Sequence, residues 1–329
     1  MNTLAPTQQT FFTDRLVRQR QVSDHTIAAY RDAMKLLLVF AAERTGKPPS
    51  RLDITDLDAP LIGAFLDHLE HQRGNSVRTR NARLAAIHSL FRHAALQRPE
   101  DAAVIARVLA IPPKRFDATL VTYLTEDEIG ALLTACDQTT WTGRRDRALI
   151  MLACQTGLRA SELTQLRIND VHLGTGPHVS CIGKGRQQRI TPLTAGTVTL
   201  LRAWLAERAG QPDDPLFPTR RGTALTRDAL ERRVATHAAT AALTCPTLHD
   251  KKISPHAMRH TAAMRLLAAG IDSAVIALWL GHENPTTTQV YIHADLALKE
   301  KALARTAPQH TEPGRYQPPD TTLAFLDDL

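Results

Sequence analysis

At 329 residues, with 43% hydrophobic and 22% charged side chains, the chain can bury substantial cores and is too apolar to be disordered throughout. No stretch supplies the ~18 uninterrupted apolar residues of a membrane span, and the start lacks a basic, apolar leader, so the expectation is a soluble, cytoplasmic protein with no membrane partner. The net charge of +7 is uneven: residues 1–115 hold 17 Lys and Arg against 11 Asp and Glu, leaving a surplus of one for the rest, so the first third either grips a polyanion such as DNA or carries an ordinary solvated surface.

In chain order, Ser23 caps a helix through HTIAAYRDAMKLLLVFAAERTG, with Ile27, Tyr30, Met34, Leu37 and Leu38 at helical spacing and Gly46 ending it. A second helix runs from about Ala59 to Gln72. A third begins near Ser76, places Leu84, Ile87, Phe91 and Ala94 on one face, and carries Arg78, Arg80 and Arg83 in its first two turns. A helix N-terminus favours phosphate, so these three arginines are candidates for DNA contact. IPPKRFDATL breaks the helical pattern as a linker. Thr125 and Glu128 form a capping box for the next helix, and another covers roughly Arg145 to Gln155 and stops at Gly157. Segments around Asp170–Leu173 and His178–Leu193 alternate as strands, with GKGR turning between two of them. Helices resume after Thr194, around Thr226–Ala242 and from His256 to Ala269. The proline-containing tail after Gln309 cannot build its own core. The four cysteines, Cys136, Cys154, Cys181 and Cys245, form no C-x-x-C pair and read as reduced core residues.

Six polar residues between Arg159 and Tyr291 suit one reaction, attack of a tyrosine on a phosphodiester without a metal or other cofactor. A phosphodiester is anionic, so its two non-bridging oxygens need fixed cations, for which Arg159 (in TGLRASEL) and Arg259 (in SPHAMRH) are candidates. A phenol with a reference pKa of about 10 needs a base, and the departing alkoxide needs an acid; His256, Lys184 and His282 can supply both. Of the four tyrosines, only Tyr291 lies in such a motif. Glu162, three residues after Arg159, shares its helical face and can hold the guanidinium in place. His256 and His260 are spaced like two metal ligands, but no glutamate follows His256 and no third ligand is evident, so His260 reads as a packed or hydrogen-bonded helix residue. Lys184 is not part of a Walker A loop, since His178 and Gly185 stand where glycine and Ser/Thr are required.

The ordered set R-x-x-E-L, G-K-G, H-x-x-R-H, L-G-H and Y, with nine residues from His282 to Tyr291, resembles the tyrosine recombinases, or phage integrase family, and most of all its simple two-domain Xer-like members, over residues 10 to 300. The resemblance implies a mainly α fold: a SAM-like, four-helix core-binding domain (1–110), a linker (111–122), a mixed α+β catalytic domain with a small antiparallel sheet (123–308), and a tail (309–329) that is either disordered, as its composition reads, or docks on a neighbouring subunit through Leu323, Phe325 and Leu326, as the family can. It implies that Lys184 protonates the leaving 5′ oxygen, that His282 donates to a non-bridging oxygen, and that four copies act on two duplexes bearing the recombination site. Arg186, beside Lys184, joins Arg78, Arg80 and Arg83 as a DNA-contact candidate. Accessory or partner recombinases, and the choice among integration, excision, transposition and resolution, stay open. So do two alternatives: relaxation of supercoils in the manner of type IB topoisomerases, and a DNA-binding protein that never cuts. A metal-dependent nuclease would need clustered carboxylates that are not evident.

Overall fold

The computed structural model describes residues 3–115, 121–183 and 188–281, which fall into two compact units, Met1–Ala118 and Thr119–Leu329. Both are built mainly of helices, and a single small antiparallel sheet is present among the described residues, which is the expected fold class.

The first unit contains α1 (Leu4–Thr10), a π-helical segment (Phe11–Gln19), α2 (Asp24–Thr45), α3 (Ala59–His71), α4 (Val77–Gln97) and α5 (Ala102–Leu109). The helix ends follow local chemistry. The Ser23 and Ser76 hydroxyls accept from the Thr26 and Thr79 amides, and Gly46 takes the left-handed conformation that stops α2. Met34 and Leu37 of α2, Phe65 and Leu66 of α3, and Leu84, Ile87, Phe91 and Ala94 of α4 are buried together with Phe11, Leu16, Ile105 and Val108. The π-helical segment and α5, unread in the sequence, therefore close this core.

The second unit opens with α6 (Glu126–Thr134) behind the Thr125–Glu128 capping box, then α7 (Trp141–Thr156) and α8 (Ala160–Gln165). α7 starts four residues before the expected Arg145 because the Thr140 hydroxyl accepts from the Gly143 amide, and because a Cβ at Gly143 would collide with the Asp137 backbone. The sheet order is β1 (Val171–His172), β2 (His178–Ile182), β3 (Gln188–Pro192). Its register pairs Val179 with Thr191 and Cys181 with Arg189. Val179, Cys181 and Thr191 are buried on one face, while Ile182 and Ile190 stand exposed on the other, so strand alternation turns Arg189 inward. Helices α9 (Ala195–Arg208), α10 (Arg227–Ala242), α11 (Pro255–Ala268) and α12 (Ser273–Leu280) complete the unit. Buried Asp146 on α7 accepts from Arg145 beside it and from Arg233 and His237 on α10, fixing those two helices to each other. Lys251, from the HDKK stretch, reaches the buried Glu128 at 2.7 Å and ties the loop before α11 to α6.

Candidate active site

Three chain reversals meet in the second unit. Helix α7 ends at Gly157 (φ 65°) and α12 ends at Gly281 (φ 64°), both left-handed, and α11 begins at Ser254, whose hydroxyl accepts from the Ala257 amide. Gly157 is packed against α11 and α12: a Cβ there would sit 2.5 Å from Leu280 Cδ2 and 3.1 Å from Ala262 Cβ. Arg259, one turn into α11 and 4% exposed, donates to the Gly157 carbonyl (2.6 Å) and the Leu280 carbonyl (2.7 Å). Arg159, three residues past the end of α7, donates to Glu162 Oε1 (2.8 Å) and to the Gly281 carbonyl (2.8 Å). Two guanidiniums thus grip successive carbonyls at the negative end of α12, where helix geometry leaves carbonyls without intrahelical partners.

A third cation completes the cluster, and the sequence did not single it out. Arg189 on β3 donates to the Leu280 carbonyl (2.6 Å) and to Glu162 Oε2 (2.7 Å). Glu162 Oε2 also accepts from the Arg159 backbone amide (2.7 Å), so one carboxylate organises two arginines and the start of α8. Burial alone would push the Glu162 carboxyl up; the Arg189 charge, with the amide and guanidinium of Arg159, outweighs it and holds the group below its ordinary value. His256 stands exposed at the first turn of α11, its ring 4.0 Å edge-on from that of the half-buried His260. Among the described residues, no three side chains are grouped to hold a metal. Lys184, Arg186, His282 and Tyr291 lie outside the described residues, as does the tail with Leu323, Phe325 and Leu326. His282 directly follows Gly281 in sequence.

In the first unit Arg78 is exposed and Arg83 half-buried. Burial and the neighbouring Arg73 charge lower the Arg83 value, opposed by Asp32. Arg80 departs from expectation. It is 6% exposed and donates to Asn81 Oδ1 (3.1 Å) and the Pro112 carbonyl (3.5 Å). The helical period puts positions 80, 84 and 87 on one side, so Arg80 shares the inward face with Leu84 and Ile87 and braces the segment after α5.

Residues 122–297 match the phage integrase family, and residues 10–98 match the N-terminal SAM-like domain of phage integrases. A putative integrase/recombinase of Sinorhizobium fredii, y4rC, is 52% identical over 326 residues, 99% of this chain and 98% of that protein. Tyrosine recombinase XerC of Xanthomonas campestris is 32% identical over 289 residues, covering 86% of this chain and 83% of that one. Among solved structures, the XerH site-specific recombinase in a post-cleavage complex with its palindromic difH substrate aligns with a TM-score of 0.68 at 25% identity, over 87% of this chain and 81% of that one. The chain belongs to the phage integrase family and is a tyrosine recombinase. These likenesses support neither the topoisomerase reading nor the non-cutting one. No described helix is long and apolar enough to cross a membrane.

Proposed function

We propose that this enzyme is a site-specific DNA recombinase in which Tyr291 is the nucleophile and Arg159, Lys184, His256, Arg259 and His282 serve the same phosphate. The Tyr291 oxygen attacks phosphorus, a 3′-phosphotyrosyl bond forms, and the P–O5′ bond breaks. Lys184 gives the departing 5′ oxygen its proton, and His256 takes the phenolic one. Arg159, Arg259 and His282 neutralise the non-bridging oxygens as charge builds on them. The 5′-hydroxyl of a partner strand then reverses the step on the new junction. The phosphotyrosyl ester conserves the diester's free energy, so ATP has no part in the reaction. Four copies bring two duplexes together in the cytoplasm, with the basic first unit gripping DNA through Arg78, Arg83 and, in the second unit, Arg186.

The observation that carries this reading is the convergence of Arg159 and Arg259 on the end of α12, the turn that leads in sequence to His282 and then Tyr291. The test is a nicked suicide duplex bearing a site selected by binding. Wild type should form a covalent adduct and Tyr291→Phe should form none, while Arg159→Ala and Arg259→Ala should lose cutting and keep most DNA affinity, which comes from many other phosphate contacts. An adduct with Tyr291→Phe, or no adduct with wild type, contradicts the assignment.

A further inference from the structure

We propose that Arg189 is a positioning residue for strand cleavage, fixing Arg159 and the end of α12 against each other while the phosphate is bound; this rests on the site reading above. Arg189 reaches both halves of the cluster from a third element. One terminal nitrogen donates to Glu162, which holds Arg159, and the other donates to the Leu280 carbonyl, which Arg259 also holds. Its side chain is 11% exposed and Glu162 only 4%, so this contact lies away from solvent, whereas the Arg159 side chain is 30% exposed and within reach of an incoming anion. The fit is close. A Cβ on Gly281 would collide with an Arg189 terminal nitrogen, and Arg189 Nε is buried with no hydrogen-bond partner among the described residues. A buried donor left unsatisfied is costly, so the guanidinium is held in this pose by its two terminal contacts rather than by optimal solvation.

The division of labour follows from these contacts. Phosphate draws Arg159 and Arg259 donors toward its non-bridging oxygens and weakens their hold on the Gly281 and Leu280 carbonyls. Arg189, set deeper, keeps its grip on Leu280 and on Glu162. Helix α12 then ends in the same place with DNA bound as without it, and Glu162 stays beneath Arg159 with a second cation to balance its charge. A lysine at this position satisfies one of the two acceptors and cannot span both.

The full-length chain carrying Arg189→Gln or Arg189→Lys tests this by three readouts: the single-turnover rate of adduct formation on the suicide duplex, the Kd for the same duplex, and hydrogen exchange in peptides around Gly281. Arg189→Gln should slow adduct formation about 10–100-fold, the usual effect of losing a partner that orients a reacting group, with Kd within about threefold because phosphate contacts elsewhere are intact. Arg189→Lys should recover part of the rate, and exchange near Gly281 should accelerate in the glutamine variant. Cleavage by Arg189→Gln within about threefold of wild type, or rate and Kd falling together with lysine no better than glutamine, would overturn the proposal. A surviving adduct in Tyr291→Phe would displace Tyr291 as nucleophile while leaving the Arg189 effect readable, and the exchange measurement needs no cleavage at all.

Discussion

Replacing Glu162 with glutamine removes the one carboxylate that, among the described residues, bonds to this cluster of three guanidiniums, while keeping the side chain's size. The carboxylate, 4% exposed, accepts from Arg189 at 2.7 Å, from the Arg159 guanidinium at 2.8 Å and from the Arg159 amide at 2.7 Å. Charge-assisted hydrogen bonds contribute ~1.5–3 kcal/mol each, and breaking a buried pair costs ~3–5 kcal/mol. Glutamine retains one accepting oxygen, and Arg159 is partly solvated, so the net loss should be about 2–4 kcal/mol. The three tryptophans, Trp141, Trp204 and Trp279, all lie in the second unit, so their fluorescence during urea unfolding reports on the unit that holds the cluster. The pH dependence gives a second check. Glu162 is held below its ordinary value of 4.5, so its contribution is complete above that pH and is lost as pH falls through the lower, folded value. The gap between wild type and Glu162→Gln should therefore be full at neutral pH and shrink below 4.5. A gap under about 0.5 kcal/mol at neutral pH, or one that stays constant into acid, would show that the Glu162 charge does not hold the cluster together.

Gly157→Ala should destabilise the second unit by about 2–4 kcal/mol, from left-handed strain and overpacking against Leu280 and Ala262, and should slow cleavage by moving the carbonyl that Arg259 holds; unchanged urea unfolding would contradict this. Thiol chemistry offers an independent check on burial. Burial pushes Cys136 and Cys154 up to about 12 and Cys181 up to about 11, whereas Cys245 is half-buried. A thiol reagent at mildly alkaline pH should therefore modify Cys245 promptly in the native protein and the other three only after unfolding; prompt native labelling of any of those three would show that the core is misassigned.

Much of the framework was legible because its signals are local. Ser23, Ser76 and Thr125 each cap a helix through contacts within three residues, and Gly46 and Gly157 end helices by conformations that a side chain disfavours. The alternation over 178–193 predicts strands, and the structure has β2 and β3 there. The failures share the opposite property. Arg189, in the polar QQR run, carries no local signal, because its partners are 27 and 91 positions away in sequence and only the folded sheet brings them together. Composition groups Arg80 with Arg78 and Arg83, although one residue of helical phase separates an exposed face from a buried one. The π-helical segment was missed because Phe11 and Leu16 are spaced for a wider turn than the 3.6-residue period detects. Glu162 was found because an arginine and a glutamate three apart at a helix start form a contact that spacing alone can suggest.

In the proposed reaction one tyrosine hydroxyl becomes joined to the cleaved strand. Its most direct test is to trap wild-type protein on a suicide duplex, digest away the DNA, and sequence the peptide that retains a nucleotide by mass spectrometry. A single modified residue, Tyr291, linked to a 3′ phosphate, is expected, formed equally well in the presence of a metal chelator. A nucleotide on Tyr30, Tyr123 or Tyr316, a linkage through the 5′ end, or cleavage that leaves no protein-bound nucleotide would contradict it.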